Sequence, residues 1–188
     1  QHYLVLAALA YPEVAFTFQR DGRPVWQLPA IKTGPEPAAR LAALRGRLRA
    51  LYGDEQKLLQ VEFSAEMPTW FESGMARGPV LDGIEANAEE SSDAAPAPSS
   101  TQFRVWGFLG APGVSRATRE DQHLFVNRRP VENRGLNFAL IEGYHTALMK
   151  GRYPVCCLFL EIDPAAVDVN IHPAKREVKF HREAEVRR

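Results

Sequence analysis

The feature that most restricts the fold is the run PVCCLFLEI at Pro154 to Ile162, a strongly apolar segment of strand length. A shorter strand at Leu124 to Asn127 precedes it, and residues 134–149 between the two carry helical spacing. Strand, helix and strand in that order predict a βαβ unit. Cys156 and Cys157, the only two cysteines, are adjacent inside the apolar run. Neighbouring side chains of a strand point to opposite sides, so a disulfide between them is not expected. Two buried thiols and no paired cysteine spacing suggest a cytoplasmic chain.

The rest of the chain supplies the partners of that unit. Residues 1–10 read as a helix ending before Tyr11-Pro12. With no capping residue and no initiator methionine, the chain is expected to begin inside a longer protein. Val14 to Phe18 and Val25 to Leu28 flank Asp21-Gly22, a hairpin pattern. Residues 38–52 space Leu41, Leu44, Leu48 and Leu51 by three and four, which predicts an amphipathic helix stopped by Gly53. Its arginines at 40, 45, 47 and 49 read as a solvated polar face. Further strands are expected at Leu58 to Phe63, Gln102 to Leu109 and Glu177 to Phe180. Residues 71–100 turn to Gly, Ala, Ser, Pro and Glu and read as a flexible insertion within one domain spanning 1–188. At 188 residues with 45% hydrophobic and 24% charged residues, one folded domain is the expectation. No apolar stretch approaches a membrane span. The fold predicted is α/β, a two-layer sandwich of about four to five strands with helices on one face.

Formal net charge is zero, but it is unevenly placed. Residues 1–101 hold 9 Lys/Arg against 13 Asp/Glu, and residues 102–188 hold 14 against 10. The second half is therefore the better face for phosphate. Within it, FVNRRPVENRGLNFALIEGY at 125–144 puts Arg128 and Arg129 in a loop and Arg134 at a helix start. Guanidinium groups beside helix-start amides form a phosphate site, although the same arginines could simply be solvated. In EIDPAAVDVNIHPAKREVKF at 161–180, Glu161, Asp163, Asp168 and His172 invite comparison with a metal-dependent hydrolase. Alternatively, Asp163-Pro164 opens a turn and Asp168 and Asn170 brace the backbone of a half-buried strand. Pro173 breaks that alternation and leaves Lys175 on a loop, free to meet a phosphate or only water.

Phe125-Val126-Asn127-Arg128-Arg129, taken with Asp168 to Phe180 (DVNIHPAKREVKF), resembles the MutL family of DNA mismatch repair proteins. The likeness extends more weakly over roughly four fifths of the chain. It implies a transducer-type domain that follows a Bergerat-type ATP-binding domain and includes a left-handed βαβ crossover. The ATP-binding domain and the distal dimerisation domain have no counterpart in this sequence, so the chain alone is expected to be inactive. By resemblance Lys175 reaches the ATP γ-phosphate in the neighbouring domain, and Arg134 contacts DNA, with Arg128 and Arg129 as weaker candidates. ATP and Mg belong to the intact protein. Its implied partners are DNA, bound without sequence preference, its own ATPase domain, a mismatch-recognition protein of the MutS type and a second copy. The transducer of a related ATPase, such as a type II topoisomerase, is the alternative, against which the HPAK block argues.

Overall fold

In the computed structural model the described residues are 1–53, 57–67, 101–169, 178–180 and 186. In chain order they form α1 (His2–Ala10), β1 (Phe16–Arg20), β2 (Arg23–Leu28), α2 (Pro37–Tyr52), β3 (Leu58–Met67) and β4 (Thr101–Gly110). There follow β5 (Ser115–Arg116), β6 (Gln122–Val126), β7 (Arg129–Pro130), α3 (Arg134–Tyr144), β8 (Tyr153–Pro154), β9 (Cys156–Glu161), β10 (Val167–Val169) and β11 (Val178–Phe180). Residues 71–100, read as an insertion, lie outside the described residues.

The main sheet has five strands in the order β3-β4-β9-β6-β7. β9, the apolar run, is central and pairs antiparallel with β4 and parallel with β6. α3 lies on the crossover between the parallel strands, so the predicted βαβ unit is present. Gly107 allows β4 to approach β9: a Cβ there would stand 2.1 Å from the Cys157 carbonyl oxygen, and its φ is +139°. Three shorter pairs flank the sheet, β1 with β2, β5 with β8, and β10 with β11.

The α/β class and the strand number agree with the sequence, but the helices do not share one face. α1 and α2 pack on Trp106, Phe108, Phe125, Cys157 and Phe159. Leu136 of α3, with Val167 of β10 and Phe180 of β11, packs on the opposite set, which includes Leu124, Val126, Cys156, Leu158 and Leu160. The reason lies in the central run itself. A strand apolar at every position from Cys156 to Leu160 has two faces to cover, and a single helical layer would leave one in water. On the first face the rings of Phe125, Phe159 and Trp106 stack across three strands, each neighbouring pair of centroids 4.5 Å apart.

Two local expectations also shift. α3 ends at Tyr144, not at 149, because His145 turns to φ +40° and a short 3-10 turn follows at His145–Ala147. The Tyr144 hydroxyl donates to the Gly110 carbonyl at 2.5 Å, fixing that end of the helix to the sheet. The arginines of α2 are not all solvated. Arg47 is fully buried and its Nη2 donates to the carbonyls of Pro12 and Val14 at 2.7 and 2.8 Å. Arg40 is half-buried against Glu161, with Nη1 2.6 Å from Oε1. Arg47 stands seven residues after Arg40, in one row with Leu44 and Leu51, which is why both turn towards the protein.

A histidine is buried in the same core. The His123 Nε2 lies 2.7 Å from the Tyr52 hydroxyl, and burial pushes the imidazole down to about 4 despite the opposing pull of Asp121. A neutral buried ring contributes fully above its unfolded value of about 6.5, and that contribution fades as pH falls towards about 4. Urea unfolding should therefore show up to about 3 kcal/mol lost between about pH 6.5 and 4 through this group alone. In His123→Asn that component should disappear, and an unchanged pH dependence in the variant would contradict the assignment.

Candidate nucleic-acid interface

The Phe125–Pro130 stretch folds as a tight hairpin. Val126 pairs with Arg129, and the two residues between them, Asn127 and Arg128, take φ of +48° and +66°. Positive φ at both central positions is the primed turn whose twist suits a two-residue hairpin. Asparagine tolerates that conformation, whereas arginine pays a steric penalty there.

What each turn residue does explains its retention. The Asn127 amide N–H donates to the Leu160 carbonyl at 2.8 Å, prolonging the β6–β9 ladder beyond Val126. Its side chain then brackets the main chain of Ile162: Nδ2 donates to the Ile162 carbonyl at 2.8 Å, and Oδ1 accepts from the Ile162 N–H at 3.0 Å. Arg128 reaches the other way, to Glu13 at 2.7 Å, and its guanidinium lies 5.4 Å from the Tyr11 ring centre. The turn is thus tied to the segment after α1 and to the end of β9.

Arg129 follows as an exposed residue of β7, the edge strand. Arg134 is the exposed first residue of α3, behind Asn133, whose side chain accepts from the Leu136 N–H at 2.8 Å. The cap satisfies one of the free amides of the helix start, and the positive end of the helix adds to the charge of Arg134. Of the sequence-predicted arginines, Arg129 and Arg134 are therefore presented to solvent on one continuous stretch, while Arg128 is engaged within the protein. Lys175 lies outside the described residues. It belongs to the connection between Val169 and Val178, which are paired in the β10–β11 ladder.

The carboxylates proposed for a metal have other uses. Glu161 Oε1 accepts from Trp106 Nε1 at 2.9 Å as well as from Arg40. Asp163 Oδ1 accepts from the Ala165 N–H at 2.9 Å and caps the 3-10 turn at Pro164–Ala166, as a turn opener should. His172 and the side chain of Asp168 lie outside the described residues. The Asn127 clamp and the Glu13 and Tyr11 contacts went unrecognised in the sequence, where the one available signal was an asparagine at the head of a short inter-strand turn.

Together these features define an α/β domain with a cationic turn-and-helix edge. The family described as "DNA mismatch repair protein, C-terminal domain" matches residues 84–188. The chain belongs to this DNA mismatch repair family. It is 40% identical over 182 residues to the DNA mismatch repair protein MutL of Opitutus terrae, covering 97% of this chain and 22% of that protein. The MutL of Symbiobacterium thermophilum is 40% identical over 184 residues, with 98% and 22% covered. That of Rickettsia bellii is 49% identical over 82 residues, 44% of this chain and 13% of that protein. The chain thus spans about a fifth of the length of the first two relatives. A solved structure titled "Crystal Structure of N terminal domain of a DNA repair protein" shares the fold with a TM-score of 0.63 at 20% identity. It covers 99% of this chain, which covers 48% of it. No helix among the described residues is long and apolar enough to cross a membrane.

The two anchors of the turn differ in expected worth. Arg128→Gly removes a part-exposed ion pair of about 0.2–1 kcal/mol but also relieves about 1 kcal/mol of left-handed strain. Its unfolding free energy should stay within about 1 kcal/mol of wild type in urea. A loss above about 2 kcal/mol would make the Glu13 contact the main anchor instead.

Proposed function

We propose that this chain is the transducer-type domain of a MutL-like DNA mismatch repair protein. It couples ATP binding in a neighbouring Bergerat-type domain to conformational change and to DNA contact without sequence preference. Family membership carries the repair assignment. The exposed Arg134 at a capped helix start supports the DNA contact, because guanidinium and free amides both suit a backbone phosphate.

Within this chain the expected contact to ATP is one cation, Lys175. ATP and Mg would be held by the neighbouring domain, where ATP supplies a γ-phosphate whose charge is lost on hydrolysis. A lysine touching that phosphate from a second domain biases the two domains towards one arrangement while the charge is present. Alone, the chain would not turn over nucleotide. The intact protein would work in the cytoplasm as a homodimer with a mismatch-recognition partner of the MutS type. The coordination of Asp163 to its own turn, and not to a shared site, weighs against the hydrolase alternative.

In the full-length protein Lys175→Ala should lower ATP turnover by about tenfold or more. Unchanged turnover would remove the coupling role. Arg134→Glu should weaken DNA binding at low salt and reduce the slope of log affinity against log salt by about 1. Equal affinity and slope would count against this edge as the DNA contact.

A further inference from the structure

We propose that the cleft at the open edge of β6 takes the Watson–Crick edge of an unpaired DNA base, with Gln122 as its reader. The inference rests on the DNA contact proposed above and adds a site for the base beside one for the phosphate. The Val131 N–H donates to the Leu124 carbonyl at 2.9 Å, and β7 pairs only with Phe125 and Val126. Among the described residues no strand continues along that edge as far as Gln122. A cleft of about 330 Å³ lies there, lined by Leu6 of α1 on one side and Asn137 of α3 on the other. That volume is at the small end of ligand sites and suits one nucleoside-sized group.

Two lining side chains carry buried polar atoms with no hydrogen-bond partner among the described residues, Nε2 and Oε1 of Gln122 and Nδ1 of His123. His123 is 3% exposed, and its Nε2 is already engaged by the Tyr52 hydroxyl. Buried polar groups without partners are costly, and three of them at one cleft call for a ligand with donors and acceptors of its own. The primary amide of Gln122 presents donors beside an acceptor. Every DNA base carries a donor next to an acceptor on its pairing edge, in one order or the other. A half-turn of the amide meets either order, so all four bases fit and no sequence is selected. In a duplex these atoms are occupied by the opposite strand, which leaves only an unpaired base to present them.

The apolar side chains of Leu6, Leu124 and Val131 supply surfaces against which a base ring can lie. Charge decides which part of a nucleotide enters. Glu120 and Glu132 line the cleft and repel phosphate, whereas Arg119 in the same lining and the exposed Arg129 and Arg134 attract it. Arg129 immediately precedes the lining residue Pro130, and Arg134 stands one helical turn before Asn137. A single strand can thus leave its backbone with the arginines and turn a base inward.

The test measures binding of the full-length protein to a short single strand of thymidines by fluorescence anisotropy at low salt. The same strand with abasic sites in place of the thymines should bind at least about fivefold more weakly. A strand of N3-methylthymines, which keeps the ring but lacks the edge donor, should bind at least about threefold more weakly than thymine. Gln122→Met, similar in length and without the amide, should shrink the thymine-to-abasic ratio by at least about threefold and leave affinity for the abasic strand within about twofold. The methylated strand needs no variant, so it decides the matter should the methionine protein fail to fold. Equal binding of the thymine and abasic strands, or of the thymine and N3-methylthymine strands, would overturn the inference. Free thymidine that binds as tightly as the strand would overturn its assignment to DNA. A protein that binds none of these strands, nor duplex DNA, would instead overturn the proposed DNA contact, and this inference with it.

Discussion

The parallel pairing of β6 with β9 is the contact from which the rest of the domain follows. Register from Gln122 with Cys156 to Val126 with Leu160 brings two apolar strands side by side at the centre of the sheet. Parallel neighbours cannot be joined by a hairpin, so α3 has to cross between them. Because β9 is apolar on both faces, that crossover can cover only one, and α1 and α2 supply the other. Where the ladder ends, Asn127 extends it with its own amide and side chain, which sets the place at which the chain leaves the sheet.

Arginine does two kinds of work in this fold. Arg47, Arg40 and Arg128 serve the architecture. The first satisfies carbonyls of the segment after α1, the second meets Glu161 at the end of β9, and the third ties that same early segment to the β6–β7 turn. A planar guanidinium spreads five donors over a rigid fork and so spans separated backbone and carboxylate partners, whereas a lysine concentrates three on one nitrogen. Arg129 and Arg134 stand outside this network among the described residues and are exposed to water. The distinction explains how a chain of zero net charge can still present a cationic edge.

Much of this was legible in the sequence. The leucine spacing of α2, Asp21-Gly22 of the β1–β2 hairpin and the uninterrupted run of β9 each carry their own period or turn chemistry, and each formed as expected. Less visible were features that depend on what lies across the fold. Arg47 reads as a surface residue until Pro12 and Val14 are seen beneath it. The two-sided cover of the sheet followed from the apolar residues at every position from Cys156 to Leu160 of β9, yet a strand alone does not say which helices supply each layer. α3 stops early through a backbone reversal at His145, a residue with no breaker signature. In the candidate site, the exposed arginines were legible in the sequence, whereas Asn127 was not, because its role consists of backbone contacts to a residue 35 positions away.

The central claim is that the arginine-bearing turn and the end of β9 are held as one piece. Amide hydrogen exchange at Ile162 tests it most directly, since this residue lies just beyond the last strand position and its N–H donates to the Asn127 side chain. Protection within about tenfold of Leu158 and Leu160 is the predicted result, as the clamp should open only when the ladder does. Exchange at the rate of the exposed Asp163 to Ala165 segment would contradict it, and would leave the turn and the strand end as independently moving parts.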